Sequence, residues 1–271
     1  MRRIGRAIAI LALAFVPWGA AQAGDIGAAL AAYKRGDYTR ALSLYLPLAY
    51  EGNALAQYNL GVMYAKGQGV SQNYGEAIKW YRKAADANNA EAQVSLGVIY
   101  AFALGVPQNY AEAAKWYRKA ADQGDPGGQH NLGVLYDRAL GVKQDYAEAV
   151  RWYRKAADQG YAASQTNLGT MYAKGRGVAQ DAAEAARWYR KAATANDPDA
   201  QEALAAAYFT GEGVAQDYVQ AYKWYKFAEA NYPFARTQKR VIVMSKIRVL
   251  EAKMTAAQLA EAKRLVRNSK P

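Results

Sequence analysis

Small and aromatic residues in this chain fall on two helical faces that recur together along the sequence. Ala56, Leu60, Gly61 and Tyr64 share one face, while Ala77, Trp80, Tyr81, Ala84 and Ala85 follow the i, i+3, i+4, i+7, i+8 spacing of a second. The pattern predicts two amphipathic helices, A and B, that bury their stripes against each other. Tryptophan returns at Trp80, Trp116, Trp152, Trp188 and Trp224, always 36 residues on, so the pair is copied at an unbroken period. Gly61 recurs as Gly97, Gly133 and Gly169, with Ala205 in the last copy. A glycine costs about 1 kcal/mol in a helix interior. Its recurrence predicts that an aromatic side chain of the partner helix comes too close for anything larger.

Polar residues at fixed positions mark the helix ends. Asn73, Asn109, Asp145, Asp181 and Asp217 stand where helix B begins, each followed three residues later by Glu or Gln in capping-box position. Gly52, Asn88, Gly124, Gly160 and Asn196 fall where it ends and tolerate a left-handed backbone. Asn53, Asn89, Asp125 and Asp197 can then cap the next helix A, with Tyr161 breaking that column. The turns from B to A are therefore short, as stacked hairpins require.

The array has atypical ends. Asp37, Ala41 and Tyr45 lie one period before the corresponding columns, so residues 24–55 read as a divergent capping repeat ahead of five repeats over 56–235. Residues 236–271 read as a basic helical cap. Residues 1–23 combine a basic start, an apolar run from Ala7 to Val16 and Ala21-Gln-Ala23, the pattern of a cleaved export signal. The expected mature chain begins at Gly24 and is periplasmic or secreted.

The motif Ala56-Gln57-x-x-Leu60-Gly61-x-x-Tyr64-x-x-Gly67-x-Gly69-Val70-x-x-Asn73, continued by Ala77-x-x-Trp80-Tyr81-x-x-Ala84-Ala85, resembles the Sel-1-like repeat, a relative of the tetratricopeptide repeat. The resemblance covers roughly residues 24 to 230. It implies an all-α fold, a right-handed α/α superhelical solenoid, and a family whose members mostly assemble or regulate other proteins, many in bacterial envelopes.

Charge and chemistry narrow the function further. The chain has a formal charge of +12, but residues 236–271 hold ten Lys/Arg against Glu251 and Glu261, and three more arginines lie in the leader. The array itself is close to neutral. With no cysteine there is no disulfide, and the single histidine, His130, has no second ligand of metal-binding spacing. No serine stands in a G-x-S-x-G or S-x-x-K context, and the glycine loops lack the strand and third glycine of a nucleotide fingerprint. The reading is a non-enzyme without cofactor or metal, and nucleic acid is not an expected partner. A cell-wall hydrolase remains a third class only because folds do not forbid chemistry.

A helical wheel that turns Leu60 inward places two variable columns of helix A outward: Tyr58, Val94, His130, Thr166 and Glu202 in one, and Asn59, Ser95, Asn131, Asn167 and Ala203 in the other. If the A helices line a concave face, the Asn-rich ladder can hold the backbone of an extended protein or peptide partner while the neighbouring column reads its side chains. The competing reading is that asparagine merely tolerates solvent. The Gln57, Gln93, Gln129, Gln165, Gln201 column flanks the core and reads as structural. Two loops replace glycine with alanine, at Ala103 and Ala139, and are expected to differ in shape from the others, with Phe102 and Leu104 as a further partner patch. Lys79, Arg82, Lys83 and their repeats read as a solvated ridge paired with acidic residues one turn away. On the cap, Lys263, Arg264 and Arg267 could contact anionic envelope polymer or lipid.

Overall fold

The computed structural model describes residues 26–269, so the expected leader, residues 1–23, lies outside them. The chain divides into two units, 1–83 and 84–271. The first holds, among the described residues, α1 (Ile26–Lys34), α2 (Tyr38–Tyr50), α3 (Ala54–Lys66) and most of α4 (Tyr74–Asp86). The second continues with α5 (Ala90–Ala101), α6 (Tyr110–Asp122), α7 (Pro126–Arg138), α8 (Tyr146–Asp158), α9 (Ala162–Lys174), α10 (Ala182–Thr194), α11 (Pro198–Thr210) and α12 (Tyr218–Asn231). A 3₁₀ turn at Phe234–Arg236 leads to α13 (Thr237–Glu251) and α14 (Ala256–Asn268). The architecture is all-α and built of consecutive hairpins. From α5 to α12 each helix packs on the next, and both α13 and α14 pack on α12.

The caps fall where the polar columns stand. Asn109, Asp145, Asp181 and Asp217 each accept a hydrogen bond from the backbone N–H three residues on, and Asn89, Asp125 and Asp197 do the same for α5, α7 and α11. The capping-box expectation holds only in this half. The glutamates turn outward to the next turn, as in Glu148 to Arg151 at 2.8 Å and Glu112 to Lys115 at 2.9 Å, while a reciprocal box forms at Thr255 and Gln258 in α14. A cation three residues ahead competes for the glutamate side chain and wins it.

The helical glycines are explained by tyrosine. A Cβ added at Gly133 would lie 2.8 Å from the Tyr153 ring, and at Gly169 it would lie 2.7 Å from the Tyr189 ring. Four of the five array tryptophans are buried; Trp224 is half-buried, because beyond α12 the chain supplies α13 and α14 in place of another A helix. The glutamine column is structural. Gln93, Gln129, Gln165 and Gln201 are buried, and each donates its side-chain N–H to the carbonyl eight residues earlier, a second bond to an oxygen that also accepts from the backbone N–H three residues on, which ties each A helix to the end of the B helix before it. In α3, Gln57 does the same to Ala49.

The alanine loops correct an expectation. Ala103 and Ala139 both take φ 57°, close to 64° at Gly175, and Leu104 and Leu140 donate to Ile99 and Leu135 as Arg176 donates to Met171. The loops share one shape, and the alanines bear left-handed strain to keep it. A second glutamine column holds that shape: Gln108, Gln144, Gln180 and Gln216 each donate to the carbonyl seven residues back.

The basic ridge is exposed along most of its length and pairs as expected at its first column, Lys115, Arg151 and Arg187 on Glu112, Glu148 and Glu184, while its other two columns also pack on aromatic rings. Lys119, Lys155 and Lys191 lie 4.3, 4.3 and 3.9 Å above the rings of Trp116, Trp152 and Trp188, one turn back on the same helix. Arg118 and Arg190 donate to the hydroxyls of Tyr136 and Tyr208 on the following A helix at 2.6 and 2.7 Å, and Arg154 bonds Tyr172 likewise. These arginines join one repeat to the next, in place of the expected pairing with Asp122 and Asp158.

Candidate functional site

A concavity lies where α13 closes the side of the A helices α9 and α11. A polar chamber of about 430 Å³ is lined by Thr166, Asn167 and Thr170 of α9, Asp199, Glu202 and Ala206 of α11, and Lys239 and Lys246 of α13, among others. An apolar chamber of about 260 Å³ adjoins it, lined by Ala206, Phe209, Tyr225, Ser245, Lys246 and Val249. Ala206 and Lys246 belong to both walls, so the two chambers stand side by side and make up the two ends of a cleft.

Packing of α13 creates this cleft. Val243, Ile247 and Leu250 share one face of α13 and are buried against the last repeat, in a cluster with Tyr222, Tyr225 and Tyr232. On the same side, Lys246 donates to Glu202 at 2.6 Å and Arg236 to Asp199 at 2.7 Å, while the Lys239 ammonium stands 3.5 Å from both carboxylates. The Tyr232 hydroxyl lies 2.7 Å from Glu202 and 2.9 Å from Asp199. Burial would raise the Glu202 pKa, but hydrogen bonds from Lys246 and Tyr232 outweigh it and hold the carboxyl below its ordinary value; for Asp199 the bonds from Arg236 and Tyr232 act the same way. Burial and the same two carboxylates raise the Tyr232 pKa, so its hydroxyl stays a donor. With Asp197, which also lines the chamber, three anions face the three cations Arg236, Lys239 and Lys246, so the wall carries no excess charge.

The residues expected to form a ladder separate into different roles. Asn167 lines the cleft, joined by Thr166 and Ala203 from the same columns. Asn59 is buried, not outward, and its side-chain amide donates to Leu55 one turn back; Ser95 likewise donates to Glu91. The Tyr58 ring is 5.9 Å from Tyr81. His130 lies between the rings of Tyr153 and Tyr161, with Nδ1 2.8 Å from Ser164 Oγ, and burial lowers its pKa to about 4. Asn131 is half-buried on α7. Phe102 is 68% exposed while Leu104 is half-buried, so the pair is one projecting ring beside one packed side chain. On α14, Lys263 and Arg267 are exposed and Arg264 is closed onto Glu261 by two hydrogen bonds.

Sequence reading missed Asp199, Tyr232, Arg236, Lys239 and Lys246 as partners. Asp199 read as a helix opener and the cations as part of an undivided basic tail. The available signal was the column itself: Glu202 is the charged member in a position otherwise held by Tyr58, Val94, His130 and Thr166. Among the described residues no group of three or more His, Cys, Asp or Glu is placed to hold a metal, and no helix is long and apolar enough to cross a membrane.

A family model described as Sel1 repeat matches residues 54–89, 90–125, 126–161, 162–197 and 198–231. No curated protein matches the chain. Among solved structures, a Sel1 repeat protein from Oxalobacter formigenes is 34% identical, with a TM-score of 0.72 over 79% of this chain and 88% of that one. A protective antigen present in uropathogenic Escherichia coli strains, which displays an SLR fold, is 31% identical, with a TM-score of 0.56 over 90% of this chain. That alignment spans 60% of the antigen's length.

Proposed function

This chain belongs to the Sel1 repeat family, whose proteins are in general interaction scaffolds and typically not enzymes, and from that premise we propose that it is an exported scaffold holding a peptide segment of a partner protein in the cleft between α9, α11 and α13. The observation that carries this reading is that a polar and an apolar chamber stand side by side across Ala206 and Lys246. A peptide laid along them meets side-chain hydrogen-bonding groups at Asn167 and Thr170, and an apolar socket at Phe209, Tyr225 and Val249. Combined, the chambers fall in the size range of ordinary ligand sites, about 300 to 1,000 Å³. The polar chamber carries no excess charge, so the selection it exerts comes from hydrogen bonding at one end and apolar packing at the other.

Selection of a random peptide display library on the immobilised protein tests this. Enriched peptides are expected to combine a hydrogen-bonding polar residue and a large apolar residue. Ala206→Trp, which fills the cleft from an accessible position, is expected to weaken their capture at least tenfold, about 1.4 kcal/mol, with the thermal midpoint unchanged. Capture that survives Ala206→Trp would reject the cleft. Export has its own test: the intact mass of protein recovered from the envelope should correspond to a start at Gly24, and retention of Met1 to Ala23 would make it anchored instead.

A further inference from the structure

One helix of the cap is apolar on both sides, and only one side is covered. Val243, Ile247 and Leu250 bury the inner face of α13. Val241 is 53% exposed, Ile242 40%, Met244 41% and Val249 52%, and Phe234 on the preceding turn is 85% exposed. These are five of the nine large apolar side chains that stand exposed among the described residues, gathered into a stretch of sixteen. At about 100° per residue, Val241, Ile242, Ser245 and Val249 fall within an arc of roughly 100° opposite the buried face. A helix apolar all round is ordinarily buried, so this outer stripe lacks its cover.

Charge decides what the cover is. Arg236, Lys239 and Lys246 are occupied by Asp199 and Glu202. Arg240, Arg248 and Lys253 remain beside the stripe: Arg240 packs over the Phe234 ring at 5.1 Å, and Arg248 and Lys253 are exposed. Lys263 and Arg267 of α14 add two more exposed cations to the same segment. A second copy of the chain would bring the same positive segment against itself, which like charges oppose. Gln238 and Ser245 are the uncharged polar side chains within the same arc, few for the directional hydrogen bonding that fixes a protein partner in register.

We infer that the outer face of α13 is a docking surface for an anionic lipid bilayer, with Phe234, Val241 and Ile242 entering the headgroup boundary and Arg240, Arg248 and Lys253 meeting lipid phosphates. Apolar burial together with attraction to anionic lipid is the physics of interfacial binding, and each cation near such a surface strengthens it. Ser245 and Val249 also line the apolar chamber of the cleft, so the surface adjoins it, while Phe234, Val241 and Ile242 lie outside the lining of both chambers.

Co-sedimentation of the chain from Gly24, which contains every described helix, with phosphatidylglycerol-containing and with pure phosphatidylcholine vesicles is the test. Binding to the anionic vesicles alone is expected, weakened by added salt. Val241→Asp with Ile242→Asp is expected to weaken it at least tenfold while far-ultraviolet circular dichroism is unchanged, because both side chains are already outside the core. Ala206→Trp is expected to leave vesicle binding intact, which separates failure of this inference from failure of the cleft. No binding to anionic vesicles, or equal binding by the double aspartate variant, would overturn the inference. So would a wild-type dimer that the aspartates dissociate, or retention on polyglutamate without retention on vesicles.

Discussion

His130 Nδ1 lies 2.8 Å from Ser164 Oγ, across the step from α7 to α9, and both residues depart from their columns together. Where His130 stands, other repeats have Tyr, Val, Thr or Glu; where Ser164 stands, they have Ala or Gly. Tyr161, the one residue that breaks the N-cap column, lies with its ring 5.0 Å from His130. The capping hydrogen bond that Tyr161 cannot make is exchanged for a ring contact and a side-chain bond that join the same two repeats.

That exchange makes stability depend on pH. The folded pKa of His130 is about 4, below the 6.5 of the free side chain, so protonation favours the unfolded chain. Its contribution is fully present above pH 6.5 and is lost as pH falls through 4, by up to about 3 kcal/mol at 1.36 kcal/mol per pH unit. Urea unfolding at pH 7 and near pH 4.5 checks this. His130→Gln should remove most of the difference over that range, and an unchanged difference would assign it elsewhere.

The strained alanines predict a gain of stability. Left-handed backbone costs a residue with a Cβ roughly 1 to 2 kcal/mol, and glycine returns part of that relief as unfolded-state entropy. Ala139→Gly and Ala103→Gly should each stabilise the protein by about 0.5 to 1 kcal/mol, additively because the loops lie in different repeats. Loss of stability in both would mean that the loops do not hold φ near 57° in solution.

The hairpins were legible because one column repeats one physical constraint. Gly133 and Gly169 spell out the approach of Tyr153 and Tyr189, and Asp145 or Asn109 writes a helix start in a single letter. The outward ladder was not. Each interior A helix is held by the B helices before and after it, as α7 is by α6 and α8, so its solvent arc is narrower than the half-circle a wheel allows. Short polar side chains near that edge bond their own helix instead, as Ser95 bonds Glu91. The cleft was hidden for a different reason: it depends on where α13 lands, and Lys246 reaches Glu202 across 44 residues of sequence. No period reports such a contact.

The glycine column predicts a steep local cost. Gly133→Ala places a methyl group 2.8 Å from the Tyr153 ring and should destabilise by about 1 to 3 kcal/mol, the usual range for overpacking. On a Tyr153→Ala background, where the ring is gone, the same substitution should cost little or become favourable. Equal cost on both backgrounds, read in a double-mutant cycle, would mean that the ring is not what excludes the methyl.

Removal of one whole repeat tests whether neighbours alone sustain the stack. Deleting residues 126–161, one matched repeat, joins Asp125 to Ala162 and keeps every column in phase. A shorter, cooperatively folding helical protein is expected, because each repeat contacts chiefly its neighbours. Deleting residues 126–155 from the same point removes less chain but shifts every later column, and should abolish cooperative unfolding. Similar melting curves for the two deletions would contradict a repeat stack.

The carboxylates of the cleft should give a second acid transition, distinct from that of His130. Glu202 and Asp199 have folded pKa values below their ordinary ones, so they stabilise the folded chain above the usual carboxylate range, and that stabilisation is lost as pH falls through their lowered values. The loss therefore begins near the ordinary Glu value of about 4.3, where the contribution of His130 has almost gone. Its structural consequence is specific, because these two carboxylates hold Arg236, Lys239 and Lys246. Protonating them should loosen α13 before the repeats unfold. Hydrogen exchange followed from pH 5 to pH 3 should show protection lost first over 237–251, with 90–231 still protected. Glu202→Gln removes the charge that Lys246 and Tyr232 satisfy and should cost about 1.5 to 3 kcal/mol at pH 7, the worth of hydrogen bonds to a charged group. In that variant the low-pH loosening of α13 should shrink while the pH dependence due to His130 is unaltered. If the two transitions moved together, α13 would be held by its apolar face alone, and the cleft would be indifferent to acid.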